Sequence, residues 1–119
     1  MFQAEQSEGF WVVRVQVPQI VSSNAAQFKK VFEDAVTQHR GPVILDLTET
    51  QFVDSSGLAA IVFCFKSLAL RSDLVLCGIA PRVRTTLSIS NMDRILKIFE
   101  TVEDAIASLS GGSTKLPPA

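Results

Sequence analysis

The chain has no long run of lysine or arginine, and its 11 basic residues face 12 acidic ones for a formal net charge of −1. That balance argues against nucleic acid or an anionic membrane surface as its main partner. It has no apolar stretch of bilayer length. The longest, Leu58 to Phe65, falls far below the ~20 residues a spanning helix needs. The start, "MFQAEQSEGF", has neither the basic opening nor the apolar core of a secretory leader, so a cytoplasmic chain without membrane insertion is expected. Histidine occurs once, at position 39, and cysteine twice, at 64 and 77. The cysteine spacing suits neither a zinc site nor a redox dithiol, and both lie in apolar runs, where free buried thiols are common. No G-x-x-x-x-G-K-[ST] loop is present, so the chain has no evident means of binding its own nucleotide.

What is present is enough for one core. The chain has 119 residues, 47% apolar and 19% charged, which places it among single globular domains. The domain is expected over residues 1–109, and the glycine-, serine- and proline-bearing stretch 110–119 is expected to be a flexible tail.

Period switching along the chain sets the fold class. In "FWVVRVQV" (10–17), Trp11, Val13, Val15 and Val17 alternate with Phe10, Val12, Arg14 and Gln16, which is strand periodicity. Ser7-Glu8-Gly9 can turn a hairpin from a short strand near residues 2–6, and Pro18 should end the second strand. Ala25, Phe28, Phe32, Ala35 and Val36 then fall on one helical stripe, with Ser22, Ser23 or Asn24 as N-cap and Gly41-Pro42 as stop. "VILDL" (43–47) reads as a buried strand, 56–70 as a helix with Leu58, Ile61, Val62, Phe65, Leu68 and Ala69 inward, and "LVLC" (74–77) as a second buried strand. Pro81 suits the first turn of a helix to about Ser90, and Asn91 suits the left-handed position after it. "ILKIF" (95–99) makes a last strand, and Thr101-Val102-Glu103-Asp104 a capping box opening a helix with Val102, Ala105, Ile106 and Leu109 inward. Such alternation predicts an α/β domain: an open, mostly parallel sheet with an N-terminal strand or hairpin, followed by alternating helices and strands.

In open sheets of this kind function gathers beyond the carboxyl ends of the strands, and "TETQFVDSSG" lies there. Three readings of its serines stand side by side. Asp54 or Ser55 can simply cap the helix that follows. A strand-turn-helix serine also suggests the nucleophile elbow G-x-S-x-G. Centred on Ser55, however, Gly57 is in place while Val53 occupies the first glycine position. His39 sits at the end of a different helix, and a serine without a base is a poor nucleophile. Third, the serine can be a substrate: a hydroxyl at a helix N-terminus stands where backbone N–H groups favour anions, and a phosphate there adds roughly −1.5 to −2 charges. Asp46 and Asp54 would add to the negative field around it.

"VILDLTETQFVDSSGLAAIVFCFKSL" followed by "LVLCGIAPRVRTTLSISNMDRILKIFETVEDAI" resembles the STAS family, especially bacterial anti-sigma factor antagonists. The resemblance covers about residues 42–109 and rests on Asp46, the Asp54-Ser55-Ser56-Gly57-Leu58 turn and the Ile79-Ala80-Pro81-x-Val83 helix start. It implies a single STAS-like domain that is not an enzyme and needs no cofactor of its own. It also implies a partner switch: an anti-sigma serine kinase of the histidine-kinase-like ATPase type phosphorylates the serine after the aspartate, here Ser55. The unphosphorylated protein captures that kinase, and a PP2C-type phosphatase resets the modified one. Ser56 is then the second hydroxyl, a cap or local hydrogen-bond partner, and the alternative acceptor to Ser55. Leu58 and the Ala59–Phe63 side of the helix would join the docking surface, with Ser22, Ser23 and Asn24 in the preceding loop. The family usually carries a Gly-Glu-Leu-Asp-like stretch in that loop, where this chain has Pro18-Gln19-Ile20-Val21-Ser22-Ser23-Asn24, so a divergent partner is expected. A monomer or weak dimer is expected. The rival reading is a constitutive binding module on a transporter ATPase or signalling scaffold, whose domain body would look much the same.

Overall fold

Two sets of side chains alternate along the second strand, and they become two separate cores. The computed structural model describes residues 2–7, 9–37, 41–69 and 72–110. A hairpin of β1 (Phe2–Ser7) and β2 (Phe10–Val15) opens the fold, turning through Gly9 at φ 89°, and its strands pair antiparallel with Phe2 opposite Val15. Helix α1 (Ala25–Thr37), β4 (Val43–Asp46), α2 (Ser55–Leu68), β6 (Leu74–Cys77), α3 (Pro81–Ile89), β7 (Lys97–Phe99) and α4 (Val102–Ser110) follow. The five-stranded sheet runs β1-β2-β4-β6-β7, parallel from β2 onward.

Val13, Val15, Val43, Leu45, Leu74 and Leu76 point to the face covered by α1, α2 and α3. Phe10, Val12, Ile44, Val75 and Cys77 point to the other, where Ala105 of α4 closes a smaller core. The stripe expected on α1, Ala25, Phe28, Phe32, Ala35 and Val36, is the buried one. The two phenylalanines are fully buried, each contributing about 2–3 kcal/mol through the apolar area it removes from water. The chain also makes the left-handed turn after α3 at Asn91 (φ 63°). Thr101 Oγ1 accepts from the Asp104 N–H (3.0 Å) to cap α4.

The structure corrects two expectations and adds one element. The buried stripe of α2 is Gly57, Ala60, Ile61, Cys64 and Leu68, whereas Leu58, Val62 and Phe65 are half-buried and Ala69 is exposed. Ile61 and Leu68 are buried as expected, Leu58, Val62 and Phe65 pack at the margin of the core, and Gly57 joins the inner side because the helix start lies directly on the Ile20 backbone. The last strand begins at Lys97, not Ile95. A 3₁₀ turn over Met92–Arg94 directs the N–H groups of Ile95 and Leu96 to the Met92 carbonyl (3.1 and 3.0 Å), leaving Ile95 53% exposed. Between the expected elements lies a second, two-stranded parallel ribbon, β3 (Gln19–Ile20) with β5 (Phe52–Val53). It forms because the Pro18 carbonyl, past the end of β2, accepts from the N–H groups of Gln51 and Phe52 (2.7 and 3.2 Å). Ser110, expected in the tail, is the last residue of α4; the rest of the expected tail, 111–119, and the histidine at position 39 lie outside the described residues.

Candidate functional site

The ribbon carries the start of α2 to the loop before α1. Asp54 leaves β5 in an extended conformation (φ −90°, ψ −170°) and caps α2. Its Oδ1 accepts from the Gly57 N–H (2.9 Å) and its Oδ2 from the Ser22 N–H (3.3 Å), so both carboxylate oxygens are taken up by backbone. Asn24 folds the same loop on itself: Oδ1 accepts from the Val21 N–H (2.8 Å) and Nδ2 donates to the Gln19 carbonyl (2.9 Å). Asn24 stands at the start of α1, its carbonyl accepting from Phe28 (3.1 Å), yet its side chain bonds backward into the loop. Ser22 and Ser23 are exposed beside it. The structure thus brings Ser22, Ser23 and Asn24 to the Asp54–Ser55 turn.

Gly57 is fixed by a close approach rather than by dihedral freedom. A Cβ there would overlap the Ile20 carbonyl oxygen and lie 2.8 Å from Val53 Cγ1. Any larger residue would lift α2 off the ribbon. With Asp54 and Gly57 holding the turn, Ser55 is exposed at the first helical position and Ser56 is half-buried at the second. Among the described residues neither hydroxyl has a hydrogen-bond partner. An exposed hydroxyl near the free N–H groups of a helix is open to modification, and an anion placed there meets favourable partial charge. Neither thiol competes as a nucleophile. Burial pushes Cys64 well above its ordinary value and Cys77 up to about 12, so both stay protonated, free and enclosed.

Beyond the turn, Ala59 is exposed and Phe63 and Leu58 are half-buried. Lys29 Nζ of α1 stands 5.1 Å from the Phe63 ring centroid. On the other flank Arg82 Cζ stands 4.9 Å from the Phe52 ring. The sequence alone reads that arginine, like Arg84, as a solvated charge on the third helix: only the β3–β5 pairing, invisible as a periodic pattern, places Phe52 against α3.

Asp46 is not brought to this turn. It ends β4 on the side covered by α4, in register with Arg14 and Cys77, and is 7% exposed. Oδ2 accepts from Arg14 Nη1 (2.8 Å) and Oδ1 from the Thr48 N–H and hydroxyl (3.0 and 2.5 Å). Arg14 Nε donates to Glu5 as well (2.7 Å). That hydrogen bond, opposed by burial and aided by the charges of Glu5 and Asp46, pushes the Arg14 pKa up. The network closes one end of a cleft of about 400 Å³ whose rim carries Glu49, Glu100 and Glu103. Gly78 passes there at φ 70°, where a Cβ would overlap Thr48 Oγ1.

Fold and site together define an α/β domain with a hairpin-edged, otherwise parallel sheet and an exposed serine on a fixed helix start. The STAS domain family model matches residues 1–105. A Thermotoga neapolitana protein, provisionally designated an anti-sigma factor antagonist, is 34% identical over 90 residues, 74% of this chain and 80% of that protein. The anti-sigma-B factor antagonist of Listeria monocytogenes is 42% identical over 55 residues, 45% of this chain and 48% of that protein. The crystal structure of a Thermotoga maritima protein with the same provisional designation as the first is 27% identical. It superposes with a TM-score of 0.77 over 92% of this chain and 94% of that one. The chain belongs to the STAS domain family. The match reaches into the N-terminal third, which the motifs read from about residue 42 onward had left out.

Proposed function

We propose that this chain is a partner-switching regulator of the anti-sigma factor antagonist type, in which Ser55 is the residue that is switched. The observation that carries the reading is the exposed, unbonded Ser55 hydroxyl at the start of α2, beside an aspartate whose oxygens are already committed to backbone. The designations of the relatives in Thermotoga and Listeria support it.

In this reading the protein is a substrate and binding module, not an enzyme. A serine kinase of the histidine-kinase-like ATPase type docks on Ser22–Asn24, Leu58 and the Ala59–Phe63 side of α2. Ser55 Oγ attacks the γ-phosphorus of the ATP that the kinase holds; an O–P bond forms, the bond to ADP breaks, and the hydroxyl proton passes to a base on the kinase. The phosphate loosens docking by charge and bulk. A 100-fold weakening, about 2.7 kcal/mol, is enough to reverse the complex, and one desolvated charge at an interface can supply it. A PP2C-type phosphatase returns the serine by transferring the phosphoryl group to water. The loop before α1, lacking glycine and acid between Pro18 and Asn24, sets this chain's partner apart from those of relatives with a Gly-Glu-Leu-Asp-like stretch.

The test is labelling with γ-³²P ATP in lysate of the source cells. Label on the wild-type chain and none on Ser55→Ala is expected. Equal label on both, or none on either, overturns the reading.

A further inference from the structure

Arg82 follows Pro81 in the first turn of α3, a turn with no acidic residue. A cation there is opposed by the helix dipole. Its side chain is exposed, and among the described residues it has no ion-pair partner: the three pairs present join Arg14 to Glu5, Arg14 to Asp46 and Lys30 to Asp34. The guanidinium rests instead on the face of Phe52, 4.9 Å from the ring centroid, at an exposed site where cation–π attraction is weak.

The position of that ring matters. Phe52 belongs to β5, which runs through Val53 and the Asp54 cap into Ser55, and α3 packs against β5. Three residues of chain span at most about 11 Å, and the bend at the cap shortens the distance. Asp54 lies between them in sequence, but its oxygens are held by the Ser22 and Gly57 N–H groups. Lys29 stands over Phe63, further along the helix, and Lys66 lies in the last turn of α2. An unpaired arginine fork therefore lies beside the one turn where the proposed function adds a dianion.

We infer that Arg82 is the internal reader of a phosphate on Ser55: it leaves the Phe52 ring and closes on the phosphate oxygens at the start of α2. Arginine suits this because its planar fork binds phosphate through two parallel charge-assisted hydrogen bonds. The switch then has two parts, the charge added at Ser55 and the uncovering of Phe52 at the edge of the docking surface. This inference rests on the reading of Ser55 as the phosphorylated residue.

The experiment places phosphoserine at position 55 by genetic encoding, so no kinase is needed, and titrates the phosphate by ³¹P NMR. Three chains are compared: the otherwise wild-type protein, Arg82→Gln and Arg84→Gln. Arg84 is also exposed on α3 but lies two residues on, about 200° around the helix, and its loss removes the same net charge. The expected result is a phosphate pKa about half a unit lower in the wild-type background than with Arg82→Gln, and unchanged by Arg84→Gln. The Arg82 side-chain resonances should lose their ring-current displacement when the phosphate is present. An unchanged titration with Arg82→Gln, or equal shifts with both variants, would overturn the inference. The two readings fail separately, because a chain that no kinase labels still yields this titration.

Discussion

Asp46 and Asp54 each stand at the carboxyl end of a short parallel strand, and each has both oxygens occupied, but the partners differ. Asp46 is gripped by side chains, Arg14 and the Thr48 hydroxyl, with one backbone N–H besides. The result is a closed network tying the hairpin to the sheet. Asp54 accepts only backbone N–H groups, one from the loop before α1 and one from the first turn of α2. Its effect is to fix the main chain while leaving the neighbouring hydroxyl untouched. One aspartate secures the α4 side of the sheet, and the other presents a serine. Similar residues at similar places in the topology therefore carry different weight, and the partners rather than the residue type decide it.

The largest effect that would sharpen this contrast is expected from Gly57→Ala. Its Cβ would meet the Ile20 carbonyl, so the variant should lose about 2–3 kcal/mol in urea unfolding despite alanine's better helix propensity. Neutral or improved stability would mean that α2 is not seated on the ribbon. Asp46→Ala comes next, at about 1–2 kcal/mol, since the Arg14 and Thr48 donors lose a largely buried acceptor. Its affinity for the docked partner should not change. Asp54→Ala should cost about 1 kcal/mol as a lost cap, yet it should weaken partner binding, because the loop at Ser22 is released from the turn. Partner binding lost equally in the two variants would erase the distinction drawn above.

The last effect is absent at neutral pH and concerns the thiols. Cys77 ordinarily titrates near 9.0 and is held up to about 12 in the fold. Below pH 9 both folded and unfolded chains keep the proton, and the thiol adds no pH dependence. Between about 9 and 12 the unfolded chain releases it first, so stability falls as pH rises. Cys77→Ala should flatten that part of the stability curve between pH 9 and 10.5, and an unchanged slope would show that the thiol is not enclosed.

Much of the frame could be read directly because its periods are simple. The alternation through Phe10–Val15 separated the two cores, and the spacing of Phe28 and Phe32 gave the face of α1. The face of α2 could be read only in part: Ile61 and Leu68 are on its inner side as their spacing suggests, but the helix is apolar nearly all round, and nothing in its period shows that Gly57, seated on the Ile20 backbone, Ala60 and Cys64 lie there too. The two-residue strands β3 and β5 are too short to have a period, and the pairings that shape the site depend on them: Ser22 with Asp54, and Phe52 with Arg82. In the sequence Asp46 stands near the serine turn only because it ends the preceding strand, and a strand buried on both sides gives no sign of which way its last carboxylate points.

The central claim is that Ser55 governs which partner this domain holds. Affinity capture from the source organism's lysate, with the wild-type chain and Ser55→Asp as parallel baits, addresses it most directly. A histidine-kinase-like ATPase is expected on the wild-type bait, and its loss on the aspartate bait. Recovery of the same proteins on both, a transporter ATPase or scaffold among them, would contradict it and leave Asp54-Ser55-Ser56-Gly57 as the cap of a constitutive docking module.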